Sequence, residues 1–408
     1  MVNQEIKAKR EPLFHITKRQ DVSNKRKWIT KAAAILCAFL FCATVSSICG
    51  GNFLEFFKDI FEACFINLGP GGAISATKIF DLLEKMAILL LIALALIPAF
   101  KMKFWNIGAE GQIMIAVLMC AVLQKYLGPL MATHNGFTRL LFFIILIIMC
   151  MLAGAIWGVI PAIFKARFNT NETLFTLMMN YIAIFVTQIV IYTWDPAQGS
   201  IPSFDDATYF PKIGGQQVIL NLIIIAAVAA LLFVYLKYTK HGYEINVVGG
   251  STDTARYIGI KVKKVIIRTM VLSGAICGLC GCLMVAGEHN NLTTSITGGR
   301  GFTGVLIAWI GGLNIGEISL YAFLSAFITK GSSKVNNNSS FPNLMLAVAI
   351  FVLIAFEFLI NYEIKCEKLK RFVHDKFPNF GVKKDKQKPI NEDVPPMNDL
   401  HKKGGHII

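Results

Sequence analysis

Two carboxylates stand among amides and glycines at the edges of long apolar runs, and theirs are the residue types and spacings that could do chemistry. The first lies in WNIGAEGQIM (105–114), where Glu110 sits between Gly108 and Gly111, with Asn106 before it and Gln112 after it. A charge left in hydrocarbon costs roughly 2.5 kcal/mol or more on insertion scales, so this one must be used or hidden. Four residues apart, Asn106 and Glu110 share one helix face. That face is too polar for lipid and looks into a cavity, a neighbouring helix or the cytoplasmic interface. The pattern suits the lining of a solute pathway and equally suits hydrogen bonding within a bundle.

The second stretch, KARFNTNETLFTLMMNYIA (165–183), places Asn169, Asn171 and Glu172 at the mouth of an apolar run and Asn180 within it. Glu172 fits a first helical turn, where the helix dipole favours a negative charge. Asn180 lies deeper, and a buried amide needs a partner. In VVGGSTDTARYIGIKVKKV (247–265), Gly249 and Gly250 break the chain and Ser251 or Thr252 can cap. Residues 253–258 then form a short amphipathic helix that Gly259 ends. Such a helix in a large basic loop suits docking to another protein; the plainer reading is an ordinary interfacial helix.

Other chemistries are excluded. The run GGRGFTGVLIAWIGGLN (298–314) is glycine-rich around Arg300, yet no G-x-x-x-x-G-K-[ST] occurs anywhere, so no ATP site is expected in this chain. No H-E-x-x-H, G-x-S-x-G or spaced acidic pair is present, and no catalytic residue is assigned. Cys277, Cys280 and Cys282 lie in an oily stretch without a nearby His or acid until Glu288 and His289, which favours packing over metal. Cys49 and Cys64 fall on one side and could pair.

The elements that must position these residues are apolar helices. The 408 residues are 55% hydrophobic and only 16% charged, with a mean hydropathy of +0.57, too oily for a soluble domain of this size. The fold class is all-α, a polytopic membrane protein with about ten transmembrane helices. Spans are expected near 29–49, 79–100, 106–125, 139–162, 172–193, 217–236, 268–287 and 341–361, with 302–313 and 316–330 as a broken or re-entrant pair around Gly311-Gly312-Leu313-Asn314. An external segment covers 50–78, with a turn at Gly69-Pro70-Gly71-Gly72, and KGSSKVNNNSS (330–340) reads as an external loop. Gly154-x-x-x-Gly158 and Gly274-x-x-x-Gly278 let helix backbones approach closely.

The formal charge of +15 clusters in the N-terminal tail, the central loop and the C-terminal tail. The positive-inside bias places all three in the cytoplasm, as an even number of crossings requires. No pattern of nucleic-acid recognition accompanies the charge. The long basic leader before the first run marks an uncleaved anchor. The organisation is a basic tail (1–28), a permease-like membrane domain (29–361) containing a cytoplasmic loop (237–267), and a basic tail (362–408) that reads as disordered beyond about 380.

Four stretches in order, NIGAEGQ (106–112), GAIWGVIPAIFKARFNTNETLFTLMMNYIA (154–183), TARYIGI (254–260) with SGAICGLCG (273–281), and GRGFTGVLIAWIGGLN (299–314), resemble the permeases of the branched-chain amino acid and simple-sugar group of ABC importers. The similarity is greatest to the nucleoside-uptake branch and covers most of residues 80–360. It implies a type II importer permease in a bacterial cytoplasmic membrane. A second permease subunit, paralogous or identical, would lie beside it, an ABC ATPase subunit binding ATP and Mg beneath, and an extracytoplasmic substrate-binding lipoprotein above. No cofactor would be held by this chain. Asp253, Thr254, Ala255, Arg256, Tyr257 and Gly259 would form the helix that couples to the ATPase. Asn106, Glu110, Gln112 and Asn180 are the expected pathway residues for a nucleoside or related sugar-containing solute. The alternative is an ion-coupled secondary transporter with Glu110 and Glu172 as its ion-site acids.

Overall fold

The computed structural model describes residues 15–19, 23–66, 75–131, 135–196, 200–201, 204–336 and 338–365. The turn expected at 69–72 and the tail beyond 365 lie outside them. The described residues form two units. In the smaller, β1 (His15–Lys18) pairs antiparallel with β4 (Tyr362–Lys365), and the Arg19 amide donates to Asn361 O at 3.0 Å.

The larger unit is helical. In chain order it contains α1 (Asn24–Ile48), α2 (Phe53–Phe65), α3 (Ala76–Lys101), α4 (Ala109–Tyr126), α5 (Gly128–Met131), α6 (Gly136–Phe168) and α7 (Glu172–Trp194). Then come α8 (Val218–Tyr238), α9 (Lys240–Gly250), α10 (Thr252–Tyr257), α11 (Val262–Leu283), α12 (Arg300–Ile310), α13 (Ile315–Val335) and α14 (Phe341–Asn361). A π-helical turn, Met284–His289, extends α11, and two-residue strands β2 (Ser200–Ile201) and β3 (Leu292–Thr293) pair antiparallel.

Among the described residues seven helices are long and apolar enough to cross a membrane: α1, α3, α6, α7, α8, α11 with its π turn, and α14. The other expected passes fall on α4, α12 and α13, of 18, 11 and 21 residues. Burial sorts the helices into layers. The most apolar windows of α3 and α11 are 78% and 83% buried, against 22–39% for the other five candidate spans, so α3 and α11 form the interior. The outer helices turn Leu36, Ile144, Ile189, Leu231 and Phe351 outward, the apolar belt that a bilayer requires.

Tight interior packing comes from absent side chains. α6 and α11 touch backbone to backbone: a Cβ on Gly154 would meet Gly274 O, and one on Gly278 would meet Cys150 O, both at 2.3 Å. These are the two G-x-x-x-G stretches of the sequence, facing each other.

Three local expectations are corrected. The polar run 330–340 is not all loop, because α13 continues to Val335. Lys330 bonds Lys78 O and pairs with Asp81 at 3.4 Å, Lys334 pairs with Asp59 at 3.2 Å and with Glu62, and the Ser332 hydroxyl donates to Ile328 O, so polar side chains stay helical. The segment after α1 contains α2, which buries Phe56, Ile60 and Cys64 and leaves Leu54 and Phe61 outward. Cys49 and Cys64 are free thiols, the first exposed and the second buried.

Because α6 and α11 meet at van der Waals limits, Gly278→Val should cost about 1–3 kcal/mol through overpacking. Thermal unfolding of the detergent-solubilised chain measures this. An unshifted midpoint would mean the backbone contact contributes nothing.

Candidate functional site

The chain between α3 and α4 does not stay at the end of the bundle. Lys101 lies against α9, where a Cβ on Gly249 would collide with Lys101 O. From there residues 102–108 run back into the bundle without helical structure, and Asn106 reaches Ser273, whose hydroxyl its amide meets at 3.3 Å. Ser273 is eleven residues into α11, about 16 Å along it. α4 therefore starts deep, and its first-turn amides need acceptors. Asn106 Oδ1 accepts from the Gly108 amide at 3.0 Å and from Gln112 Nε2 at 3.4 Å. Asn180 of α7 accepts from the Gly111 amide at 2.8 Å and donates to Ile107 O at 2.9 Å, while Thr176 Oγ1 accepts from the Ile107 amide at 3.3 Å.

This geometry corrects the sequence reading in one respect: Asn106 precedes the helix, so it does not share a helical face with Glu110. Of the surroundings left open for Glu110, the structure supplies the neighbouring helix, and the residue is only 2% exposed. Its carboxylate accepts from the Gly299 amide at 3.1 Å and the Gly301 amide at 2.6 Å, at the start of α12. The approach is so close that a Cβ on Gly301 would lie 2.5 Å from Glu110 N. Asn106, Glu110, Gln112 and Asn180 thus form one buried knot, and none is among the residues lining the cavities described below.

α12 is a half-helix. Its eleven residues span about 16 Å, half of a roughly 30 Å hydrocarbon core, and the preceding residues 290–299 are non-helical. Its descent follows α3, with Gly304 against Ile92 and Leu313 beside Ile97 and Lys101. A second carboxylate grips the same turn: Glu288, in the π turn, makes a two-pronged pair with Arg300 at 2.5 and 2.8 Å. A π turn supplies the extra backbone needed to aim Glu288 and His289 off the regular helix face.

Beside this turn lies a polar cavity of about 350 Å³, bounded by α3, the 290–299 loop, α13 and α14. It sits toward the end of the bundle opposite α9, and Arg300 and Thr303 of α12 line it.

At the other end, α9 and α10 form an angled pair. The break comes at Ser251, with φ −154°, not at Gly249 and Gly250, which are the last residues of α9. The Ser251 hydroxyl caps the Thr254 amide at 3.2 Å. Ala255 is fully buried, Asp253 and Arg256 pair in the open at 3.4 Å, Tyr257 is 92% exposed, and Gly259 turns the chain at φ +83°. Arg268 of α11 anchors α9 through Glu244 at 2.8 Å, and this hydrogen bond holds the Glu244 carboxyl below its usual range. A cleft of about 420 Å³ at the base of α10 runs past Lys103 and Phe104 to Lys165 and Glu172, which pair at 2.8 Å. Asn171 caps α7 through the Thr173 and Leu174 amides, so Glu172 occupies the first helical turn as expected.

Of the cysteine triplet, Cys277 and Cys280 are buried in α11, while Cys282 meets Cys120 and Cys150 in a buried group whose sulfurs lie within 4.8 Å of one another. Three thiols at that spacing can serve as weak donors and acceptors to each other. Sequence reasoning missed the Glu288–Arg300 pair and the buried Glu84, which accepts from Asn221 at 2.8 Å. The signal was present: each is an acid within or beside an apolar run, as Glu110 is.

Over residues 78–356 the chain matches the family described as branched-chain amino acid transport system / permease component. It is 29% identical to the nucleoside ABC transporter permease protein NupB of Lactococcus lactis, over 83% of this chain and 94% of the relative. It is 27% identical to the guanosine ABC transporter permease protein NupP of Bacillus subtilis, over 65% of this chain and 77% of that one. A probable riboflavin import permease, RfuC of Treponema pallidum, is also 27% identical, over 67% of this chain and 73% of the relative. No solved structure matches. With more than half its length matched, and with apolar helices long enough to cross a membrane, the chain belongs to the family of branched-chain amino acid transport system permease components.

Proposed function

We propose that this chain is the membrane-spanning permease subunit of an ATP-driven importer and forms, with a second permease subunit, the translocation pathway for nucleosides or related sugar-containing solutes. The observation that carries the reading is α10, a capped helix with one fully buried anchor, Ala255, that presents Tyr257, Arg256 and Asp253 to the exterior. It is built to be held by something else. That partner is a separate ATPase subunit, which supplies ATP and Mg; an extracytoplasmic substrate-binding lipoprotein delivers the solute. The relatives' names, nucleoside, guanosine and riboflavin, share a ring system carrying hydroxyl-rich sugar or polyol, which supports the solute class. The clustered basic residues support a cytoplasmic side for both ends of the chain, and the pairing of 15–18 with 362–365 supports a common side.

The mechanism follows from connectivity. α10 leads directly into α11, the most enclosed helix, whose far end carries Glu288 and, through the 290–299 loop, the first turn of α12. ATPase closure displaces α10, and a packed helix transmits that displacement as a rigid body to the turn that Glu288 and Glu110 grip. Asn106, Gln112 and Asn180 act on the pathway from behind, by fixing the end of α4 from which Glu110 projects. An ion-coupled mechanism is not favoured, since the acids expected to serve it are committed, Glu110 to two backbone amides and Glu172 to Lys165.

Two outcomes test this. Tyr257→Asp should leave the chain folded but reduce co-purification of the ATPase subunit and lower uptake at least about tenfold, as loss of an aromatic interface anchor does. Uptake that persists without ATP while an ion gradient is maintained would overturn the reading. Glu110→Leu should insert and assemble, yet strand two buried amides at about 1–3 kcal/mol each and depress uptake at least about tenfold, with Glu110→Gln intermediate. Unchanged uptake in proteoliposomes would reduce Glu110 to a packing residue.

A further inference from the structure

The cavity above the α12 turn has chemistry that the rest of the fold does not use. Many polar side chains elsewhere in the bundle are spent on caps, on ion pairs or in the Glu110 knot. Here Lys85 of α3, Asn291, Thr293 and Ser295 of the loop, and Asn343 of α14 converge on one space, and among the described residues none of their side chains has a hydrogen-bond partner. They are half-buried or exposed, so water or a solute can reach them. The volume, about 350 Å³, lies at the small end of the roughly 300–1,000 Å³ typical of small-molecule sites. That leaves room for one sugar or one nucleoside.

The charges define the class further. Arg300 in the lining is neutralised by Glu288, with both guanidinium prongs occupied. No carboxylate is among the lining residues, so nothing there answers a cation. Lys85 is the one lining cation without an ion-pair partner among the described residues, and its ammonium offers three donors that hydroxyl or carbonyl oxygens can accept. The amides and hydroxyls around it both donate and accept, which matches a solute whose own groups do both.

We propose that this cavity is a low-affinity solute site within the permease itself, taking an uncharged, hydroxyl-bearing molecule of nucleoside or monosaccharide size. The solute rests on the first turn of α12 through Arg300 and Thr303, while Glu110 holds the same turn at its backbone amides. Occupancy is therefore sensed by the element that the transport cycle moves. This rests on the permease reading for its meaning in transport, but the binding itself can be tested without it.

The test uses the full-length chain, purified with Cys37→Ser, Cys49→Ser and Cys366→Ser and carrying Ser295→Cys as a reporter, reacted with a bulky, charged maleimide. A nucleoside at millimolar concentration should slow labelling of position 295 severalfold, whereas its 5′-monophosphate should not. Adding Asn343→Leu should weaken this protection by about five- to tenfold in concentration, the size of one lost uncharged hydrogen bond. Ile189→Ala on the outer face of α7 should leave protection unchanged. Protection by the monophosphate equal to that by the nucleoside overturns the uncharged class. Labelling indifferent to nucleoside and hexose alike overturns the site, even if the assembled importer carries nucleosides. Protection in a chain whose assembled complex shows no ATP-driven uptake would sink the importer reading and leave the site standing.

Discussion

A carboxylate taken out of water must be answered by donors in fixed positions, and Glu110 is answered by the backbone of a segment 189 residues further along the chain. Burying the charge costs several kcal/mol. Two charge-assisted amide bonds return about 1.5–3 kcal/mol each, and the positive end of α12 adds up to about 2 kcal/mol. The two sides nearly balance. The carboxylate is held with little to spare, and α12 can begin in the middle of the bundle only because those otherwise orphaned amides meet it.

The surrounding structure can be understood as what that meeting requires. α4 must also start deep, so the chain re-enters after Lys101 and hands its own first-turn amides to Asn106 and Asn180. α7 must come close enough for Asn180 and Thr176 to reach residues 107–111, and Gly111 permits it, since a Cβ there would lie 2.8 Å from Asn180 Oδ1. α11 must be central to offer Ser273 to Asn106 and Glu288 to Arg300. Its bare glycines let α6 close over it. Non-helical backbone at this depth is tolerated where protein surrounds it or where it lines a water-filled cavity; residues 106–108 meet the first condition and residues 290–299 the second.

The sequence made the helices legible because hydrocarbon forces long apolar runs, and the last span was read at 341–361, the bounds that α14 has. It also marked the residues of the knot, since an acid or amide in an oily run is costly enough to stand out. What it could not give was their partners. NIGAEGQ and GGRGF were each conspicuous, but nothing local says that one donates backbone amides to the other. Helical periodicity misled at Asn106 because the chain is not helical there; the residue caps a helix instead of lying on its face. The helical end of α13 was missed because Lys330, Lys334 and Ser332 look like loop residues until their partners on α2 and α3, and their own backbone, are in place.

The first turn of α12 is gripped twice, at its backbone amides by Glu110 of α4 and at the Arg300 side chain by Glu288 beyond α11. These elements descend to different places: α4 connects back to α3 beside α9, and α11 connects to α10. A force applied at α10 therefore acts on one grip before the other. Close-packed interiors do not deform continuously, so such a turn follows one carboxylate or the other. Because each bond is charge-assisted and each desolvated carboxylate is expensive to leave unpaired, an intermediate with either grip half-open is disfavoured.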